Sequence, residues 1–235
     1  MTDQEHPETQ AIILGWVRMT VVFVLIYGLG LFLSAGRLDW TMAWVYLALF
    51  VANQAVLGAL LFRAQPDLLA ARSEPDRERA RSWDRPLAGI ASLFGPLSTL
   101  IVAGLDVRFS WSTSLPFTVQ MAALGAAVLS YALGDWAMAV NQHFYGFVQI
   151  NETSHDVVAS GPYRFIRHPG YAGGVLFALA APLWLGSLWA YVSAALTIAA
   201  LVVRTALEDR TLQNELDGYE TYARRVRYRL VPGLW

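Results

Sequence analysis

Two polar stretches interrupt an otherwise apolar chain, and both carry residue types that do chemistry. The first is GPYRFIRHPGYAGG, residues 161–174; the second is RTALEDRTLQNELDGYETYARRVRYRLVPGLW, residues 204–235. In the first, His168 precedes Pro169, which biases its backbone to an extended conformation. Pro169 itself suits the first position of a helix. The opening amides of that helix have no intrahelical partner and carry the positive end of the dipole, a setting that receives a carboxylate or phosphate. Gly170, Gly173 and Gly174 leave one helix face bare, open equally to a flat ligand or to a neighbouring helix. Tyr163 and Tyr171 contribute aromatic faces with hydroxyls, and Arg164 and Arg167 contribute positive charge.

In the second stretch Arg204 and Glu208 share a helical face at i,i+4, and Asp209 follows directly. Ionisable groups at the end of a long apolar run are costly there and are often functional, although an interfacial ion pair closing the helix accounts for them equally well. Tyr219, Tyr222, Arg224, Arg225, Arg227 and Arg229 make an aromatic-basic tail suited to an anionic lipid surface. Asp135 and Asn141 precede the first stretch. Asp135 is placed to touch a ligand or to close a buried pair, and Asn141 reads as a helix C-cap before it reads as catalytic. His143, His155 and His168 lack a metal-ligand spacing such as HExxH, so no metal is expected. Neither GxGxxG nor GxxxxGK[ST] occurs, which removes support for a Rossmann or P-loop site. With no Cys, disulfides, thiolate metal sites and cysteine nucleophiles are excluded.

The elements that carry these stretches follow from where charge is absent. The segments 19–36, 40–62, 86–105 and 110–134 contain no Asp, Glu or Arg, and neither does 168–203. A membrane-spanning helix needs about 20 mainly apolar residues, so the first four segments fit one span each. The fifth would be roughly 50 Å long as one helix, too long for a hydrocarbon core of about 30 Å. Pro182 and Gly186-Ser187 near its middle predict a tight hairpin of two short spans, 170–185 and 188–207. The expected fold is all-α and integral to the membrane, with about six transmembrane helices. A composition of 56% hydrophobic and 15% charged residues agrees, and excludes a disordered chain, a coiled coil and a basic nucleic-acid binder.

All 17 basic residues are Arg. They concentrate in 63–86, 141–168 and the tail, all on one side of a six-span bundle, which predicts that side and both termini to be cytoplasmic. Trp16 and Trp136 fall at predicted inner ends; Trp40, Trp44, Trp111, Trp184 and Trp189 fall at outer ends, as an interfacial belt would. The N-terminal MTDQEHPETQ lacks the positive region of a cleaved signal peptide, so the first helix is expected to be retained. The loop 63–86 mixes charge signs and is expected to form a short surface helix around 66–81. An even number of passes separates the two polar stretches, so a site built from both would open to the cytoplasm.

At these two stretches the sequence resembles the isoprenylcysteine carboxyl methyltransferase family. GPYRFIRHPGYAGG is similar to that family's GPYR-x-x-RHP-x-Y-x-G motif, whose RHP-x-Y-x-G core the phospholipid methyltransferases share. The family's E-E-x-x-L appears as Glu208-Asp209-Arg210-Thr211-Leu212, and its G-x-E-x-Y-x-x-R-V as Gly218 to Val226. The resemblance covers about 141–235, expected to be the cofactor-binding region; 1–140 matches only in being transmembrane.

The resemblance implies a membrane methyltransferase that uses S-adenosylmethionine, bound in a cytoplasmic pocket closed by the C-terminal tail. Carried over residue by residue, His168, Pro169, Tyr171 and Gly173 belong to the cofactor site, with Tyr163 and Arg164 beside them. Glu208 and Asp209 stand at the acidic pair, Asp209 being one methylene shorter, and Tyr219 and Tyr222 stand in the tail that closes the pocket. Arg204 and Glu208 are the catalytic candidates. Arg204 would also steer an acidic substrate group, with Asp135 and Asn141 as further substrate contacts. The chemistry implied is a direct SN2 transfer to a carboxylate, amine or thiol of a lipophilic or small acceptor. Two alternatives stay open: an NADPH-dependent sterol-type reductase, which shares an RH-x-N-Y-like helix start but has Asn where this chain has Gly170, and a non-enzymatic carrier or scaffold. The absence of Lys points to a GC-rich bacterial genome, hence a bacterial inner membrane, or the endoplasmic reticulum if the source is eukaryotic.

Overall fold

The computed structural model describes residues 5–73, 80–148 and 156–235, with side chains from residue 9 onward. The described residues are helical, with no strand among them. Helix α1 spans Glu5–Ala35, α2 Thr41–Ala64 and the short α3 Pro66–Ser73. A third long rod, Asp84–Phe109, consists of α4 (Asp84–Gly89), one π turn (Ile90–Phe94) and α5 (Gly95–Phe109). Then come α6 (Phe117–Val140), a 3-10 turn (Gly161–Arg164), α7 (Pro169–Leu185), α8 (Ala190–Glu215) and α9 (Tyr219–Arg225).

Five helices are long and apolar enough to cross a membrane: Thr9–Ala35, Thr41–Ala64, Asp84–Phe109, Phe117–Val140 and Ala190–Glu215. The protein is integral to the membrane. The sixth apolar helix, α7, has 17 residues, about 26 Å at the usual rise, and pairs with α8 as the expected hairpin. Gly186 makes the turn with φ +79°, a left-handed conformation that a side chain would strain. Its N–H and that of Ser187 close onto the carbonyls of Leu183 and Pro182.

The π turn has a local cause. Pro96 has no N–H to offer the Ser92 carbonyl four residues back. The Tyr27 hydroxyl of α1 donates to that carbonyl instead, at 3.3 Å. Around it Tyr27, Leu31, Tyr46, Leu100, Trp184 and Leu185 form the core. Trp184, expected at the outer interface, is wholly buried and stacks on Tyr46 at 5.3 Å. The α7–α8 turn packs into the bundle and carries the ring inward. Trp44, Trp111 and Trp189 are exposed as an interfacial position requires. At that end Asp106 accepts from the Ser112 N–H at 2.7 Å and from the hydroxyls of Ser112 and Ser187, pinning α5 to the hairpin. The surface helix expected around 66–81 is present as α3 over Pro66–Ser73; 74–79 lie outside the described residues.

Candidate functional site

At the other end of the bundle the two polar stretches meet. His168 caps α7 with an extended φ of −128°, as its place before Pro169 dictates. The N–H groups of Arg167 and His168 donate to the carbonyls of Tyr228 and Arg229, each at 2.9 Å, so the C-terminal tail lies along the start of α7.

Asp209 is the knot that holds this arrangement. It is wholly buried. Arg167 donates to it from Nε at 2.7 Å and Nη2 at 3.0 Å, Arg229 Nε at 2.8 Å, Gln213 Nε2 at 2.8 Å and the Tyr219 hydroxyl at 3.1 Å. His168 Nε2 lies 3.3 Å from the same carboxylate. A carboxylate out of water requires such compensation. Burial works to lower the Arg167 pKa, but the hydrogen bonds and charge of Asp209 outweigh it and hold the guanidinium above its ordinary value.

Glu208, one residue earlier, points elsewhere. Its carboxylate lines an open cleft and accepts a hydrogen bond from the Tyr171 hydroxyl. The cleft encloses about 90 Å³ and opens to solvent. Its walls include His168, Gly170 and Tyr171 from the start of α7, Arg204 and Glu208 from α8, and Tyr219 and Tyr222 from α9. Asn141, Phe144, Tyr145 and Phe147 also line it. Asn141 is the C-cap residue of α6, and its Nδ2 donates to the Tyr163 hydroxyl at 3.0 Å. Tyr222 donates from its hydroxyl to the Tyr163 carbonyl at 2.8 Å. Burial drives the hydroxyl pKa of Tyr163, Tyr219 and Tyr222 well up; Tyr219 and Tyr222 donate, to Asp209 and to the Tyr163 carbonyl, while the Tyr163 hydroxyl accepts from Asn141.

Eight of the expected residues thus line one cleft: Asn141, Tyr163, His168, Tyr171, Arg204, Glu208, Tyr219 and Tyr222. Five others do not. Arg164 turns back onto the Gly161 carbonyl at 3.3 Å and lies over Phe165. Pro169 is buried at the helix start, and Asp209 is behind the wall. Gly173 packs on α6, where an added Cβ would stand 2.8 Å from the Ser130 carbonyl. Asp135 and Gly173 line a separate cavity deeper in the bundle. The bare glycine face serves helix packing at Gly173 and Gly174, while Gly170 meets the Phe144 ring. Of the histidines, His155 lies outside the described residues.

Sequence reasoning did not single out Asp84. It is wholly buried at the start of α4 and takes Arg204 as a two-pronged partner, Nε to Oδ1 at 2.6 Å and Nη2 to Oδ2 at 3.0 Å. Asp84 Oδ2 also accepts the Val148 N–H at 2.7 Å, and Arg204 Nη2 donates to the Gly146 carbonyl at 2.9 Å. Arg204 in turn lies 5.2 Å above the Tyr171 ring. The signal was available: an acid in the first turn of an apolar span must find a partner.

Residues 122–214 match the model of the Isoprenylcysteine carboxyl methyltransferase (ICMT) family. That segment contains α7, most of α8 and much of the cleft wall; Tyr219 and Tyr222 lie beyond it. No curated protein matches the chain.

Proposed function

With the ICMT-family pattern over residues 122–214 as premise, we propose that this integral-membrane chain is a methyltransferase using S-adenosylmethionine in the cleft beside Glu208. The observation that carries the reading is one carboxylate, Glu208, held by the Tyr171 hydroxyl in a cleft also lined by Tyr163, Tyr219 and Tyr222.

The donor set fits the cofactor. Glu208 suits an α-ammonium or a sulfonium, the first amides of α7 with His168 suit a carboxylate or ribose hydroxyl, and Phe144, Tyr145 and Phe147 suit a purine face. When bound, the cofactor supplies a methyl group already activated on sulfur, with a neutral thioether as leaving group. Direct in-line transfer then asks only orientation and desolvation of the protein, with the reacting atoms held about 3–3.5 Å apart. No covalent enzyme intermediate is required. Tyr171 fixes the Glu208 rotamer, Asp84 fixes Arg204, and Asp209 anchors the tail whose tyrosines close the cleft. The acceptor is a lipophilic or small molecule reached from the membrane. By the bias of Arg toward this end of the bundle, the cleft faces the cytoplasm.

The test is calorimetric titration of the detergent-purified protein with S-adenosylhomocysteine and, separately, with NADPH. Mass spectrometry of a native lipid extract incubated with isotope-labelled methyl donor follows. Binding of the first ligand and not the second, with a labelled product, is expected. Glu208→Gln should weaken cofactor binding about tenfold or more, a change of ~1.4 kcal/mol, at unchanged melting temperature. NADPH binding, or no S-adenosylhomocysteine binding by folded protein, overturns the assignment.

A further inference from the structure

The C-terminal tail divides its side chains between two surroundings. Tyr219 and Tyr222 are buried and line the cleft, and Arg229 is drawn inward to Asp209. Arg224, Arg225 and Arg227 stay exposed, beside exposed Tyr228, Val231 and Leu234. Glu220 holds Arg224 at 2.7 Å. Arg225 and Arg227 have no carboxylate partner among the described residues.

A second segment extends this surface. The Arg167 and His168 N–H groups donate to the Tyr228 and Arg229 carbonyls, which sets the tail beside the 161–165 turn. There Arg164 lies over Phe165, both are exposed, and Arg164 likewise lacks a carboxylate partner among the described residues. The depth of that turn is fixed by α6. A Cβ on Gly161 would stand 3.1 Å from Trp136 Nε1 and 3.2 Å from the Val140 side chain. Trp136 and Val140 lie in the last turns of the span Phe117–Val140, and Trp136 is exposed as an interfacial indole requires. Three unpaired guanidinium groups and four exposed apolar side chains therefore gather at headgroup depth. Arginine matches phosphate and apolar side chains match the acyl boundary. A soluble acidic partner would match the charge but not this depth.

Resting on the methyltransferase reading for the ligand in the cleft, we infer that the tail and the 161–165 turn dock on anionic phospholipid headgroups of the surrounding bilayer, and that this docking tightens the cleft for its cofactor. The coupling runs through backbone. Arg167 Nη1 donates to the Val226 carbonyl at 2.7 Å and to the Arg227 carbonyl at 2.9 Å. The stretch that shows Arg225 and Arg227 to the headgroups is thus the stretch that Arg167 clamps from within. Tyr222, one turn earlier, is tied to the Tyr163 carbonyl at 2.8 Å. A lipid that holds the tail in this position favours the arrangement in which Tyr219 and Tyr222 line the cleft, and by linkage a ligand in the cleft favours the lipid equally.

The test is calorimetric titration of S-adenosylhomocysteine into the full chain in nanodiscs of phosphatidylcholine alone and of phosphatidylcholine mixed with phosphatidylglycerol. The melting temperature of each ligand-free sample is read beside it. Wild type should bind about fivefold tighter in the mixed discs and melt higher there. Both gains should vanish at about 1 M salt, where the screening length falls to ~3 Å. Arg225→Gln with Arg227→Gln should bind and melt alike in the two discs. Arg225→Lys with Arg227→Lys should keep most of both gains, because a surface potential reads charge rather than fork geometry. Wild type that behaves alike in the two discs, or gains that survive the double glutamine variant, overturn the inference. A melting gain without an affinity gain overturns the coupling to the cleft. A melting gain lost in the double glutamine variant, with no S-adenosylhomocysteine binding by folded protein in either disc, sinks the methyltransferase reading and leaves the lipid site standing.

Discussion

Glu208 and Asp209 are neighbours in sequence, and replacing each by its amide should break different things. Asp209→Asn removes the charge that faces Arg167 and Arg229 and turns one acceptor into a donor aimed at donors. The Arg167 and Asp209 side chains are 6% and 0% exposed, so solvent screens little of that loss. Arg229 is 32% exposed, and its share is discounted accordingly. Removing one partner of a buried pair costs about 3–5 kcal/mol. At roughly 2–4 °C per kcal/mol for a chain of this size, the melting temperature should fall by about 10 °C. Glu208→Gln keeps an acceptor for the Tyr171 hydroxyl, so its cost stays under about 1 kcal/mol. Thermal unfolding in detergent, with and without S-adenosylhomocysteine, separates the two. Ligand at a hundredfold excess over Kd stabilises the native state by about 2.7 kcal/mol. Asp209→Asn should keep most of that gain from a lower baseline, and Glu208→Gln should lose most of it from a normal baseline. An Asp209→Asn protein that melts with wild type, or a Glu208→Gln protein that falls as far as Asp209→Asn, refutes the division of roles.

Further outcomes follow from the same geometry. Asp84→Asn should cost about 3–5 kcal/mol through Arg204; Asp84→Leu with Arg204→Met should recover the melting temperature but not turnover in the labelled-methyl assay. Gly173→Ala places a Cβ against the Ser130 carbonyl, which is backbone and cannot swing away. It should cost about 1–3 kcal/mol in thermal unfolding, whereas Gly125→Ala, with open space around it, should change nothing. Burial first, then the charge of Arg204, pulls the Arg72 pKa down to about 10, against the opposing pull of Tyr171 and Asp135. Because the folded pKa lies below the ordinary 12.5, the penalty for this buried charge is present below about 10 and is relieved as pH rises, so Arg72 adds no alkaline instability there. The chain has no Cys, so single Asp39→Cys and Asp217→Cys proteins report sidedness cleanly. An impermeant thiol reagent applied to intact cells should label the first and reach the second only after permeabilisation; the reverse pattern refutes a cytoplasmic cleft.

The spans were legible because a bilayer imposes a crude rule on a chain: some twenty residues without charge. That rule located all six rods and, through Pro182 and Gly186-Ser187, the hairpin break. The motif residues His168, Tyr171 and Glu208 were legible too, since a helix that starts at Pro169 and an acid at the end of the last span each have few alternatives. The start of the surface helix expected around 66–81 was legible as well, and Pro66–Ser73 is helical. Nothing local, however, distinguishes Asp84 from Asp67, or Arg72 from Arg63. Each is an ion in a charged connector, and only the three-dimensional route of α3 and α4 back over the cleft decides which ones lose water. The same holds for the acidic pair. Successive residues on a helix point about 100° apart, so Glu208 and Asp209 had to face different surroundings. Which one met the cleft and which met two arginines depended on how α8 is rotated against α7 and the tail. Trp184 makes the point from the apolar side, since its place at a span end suited the interface until packing turned its ring onto Tyr46. Composition along the chain sets how deep a residue lies in the membrane. The angle at which it faces its neighbours is a property of the packed bundle, and charge pairing is decided there.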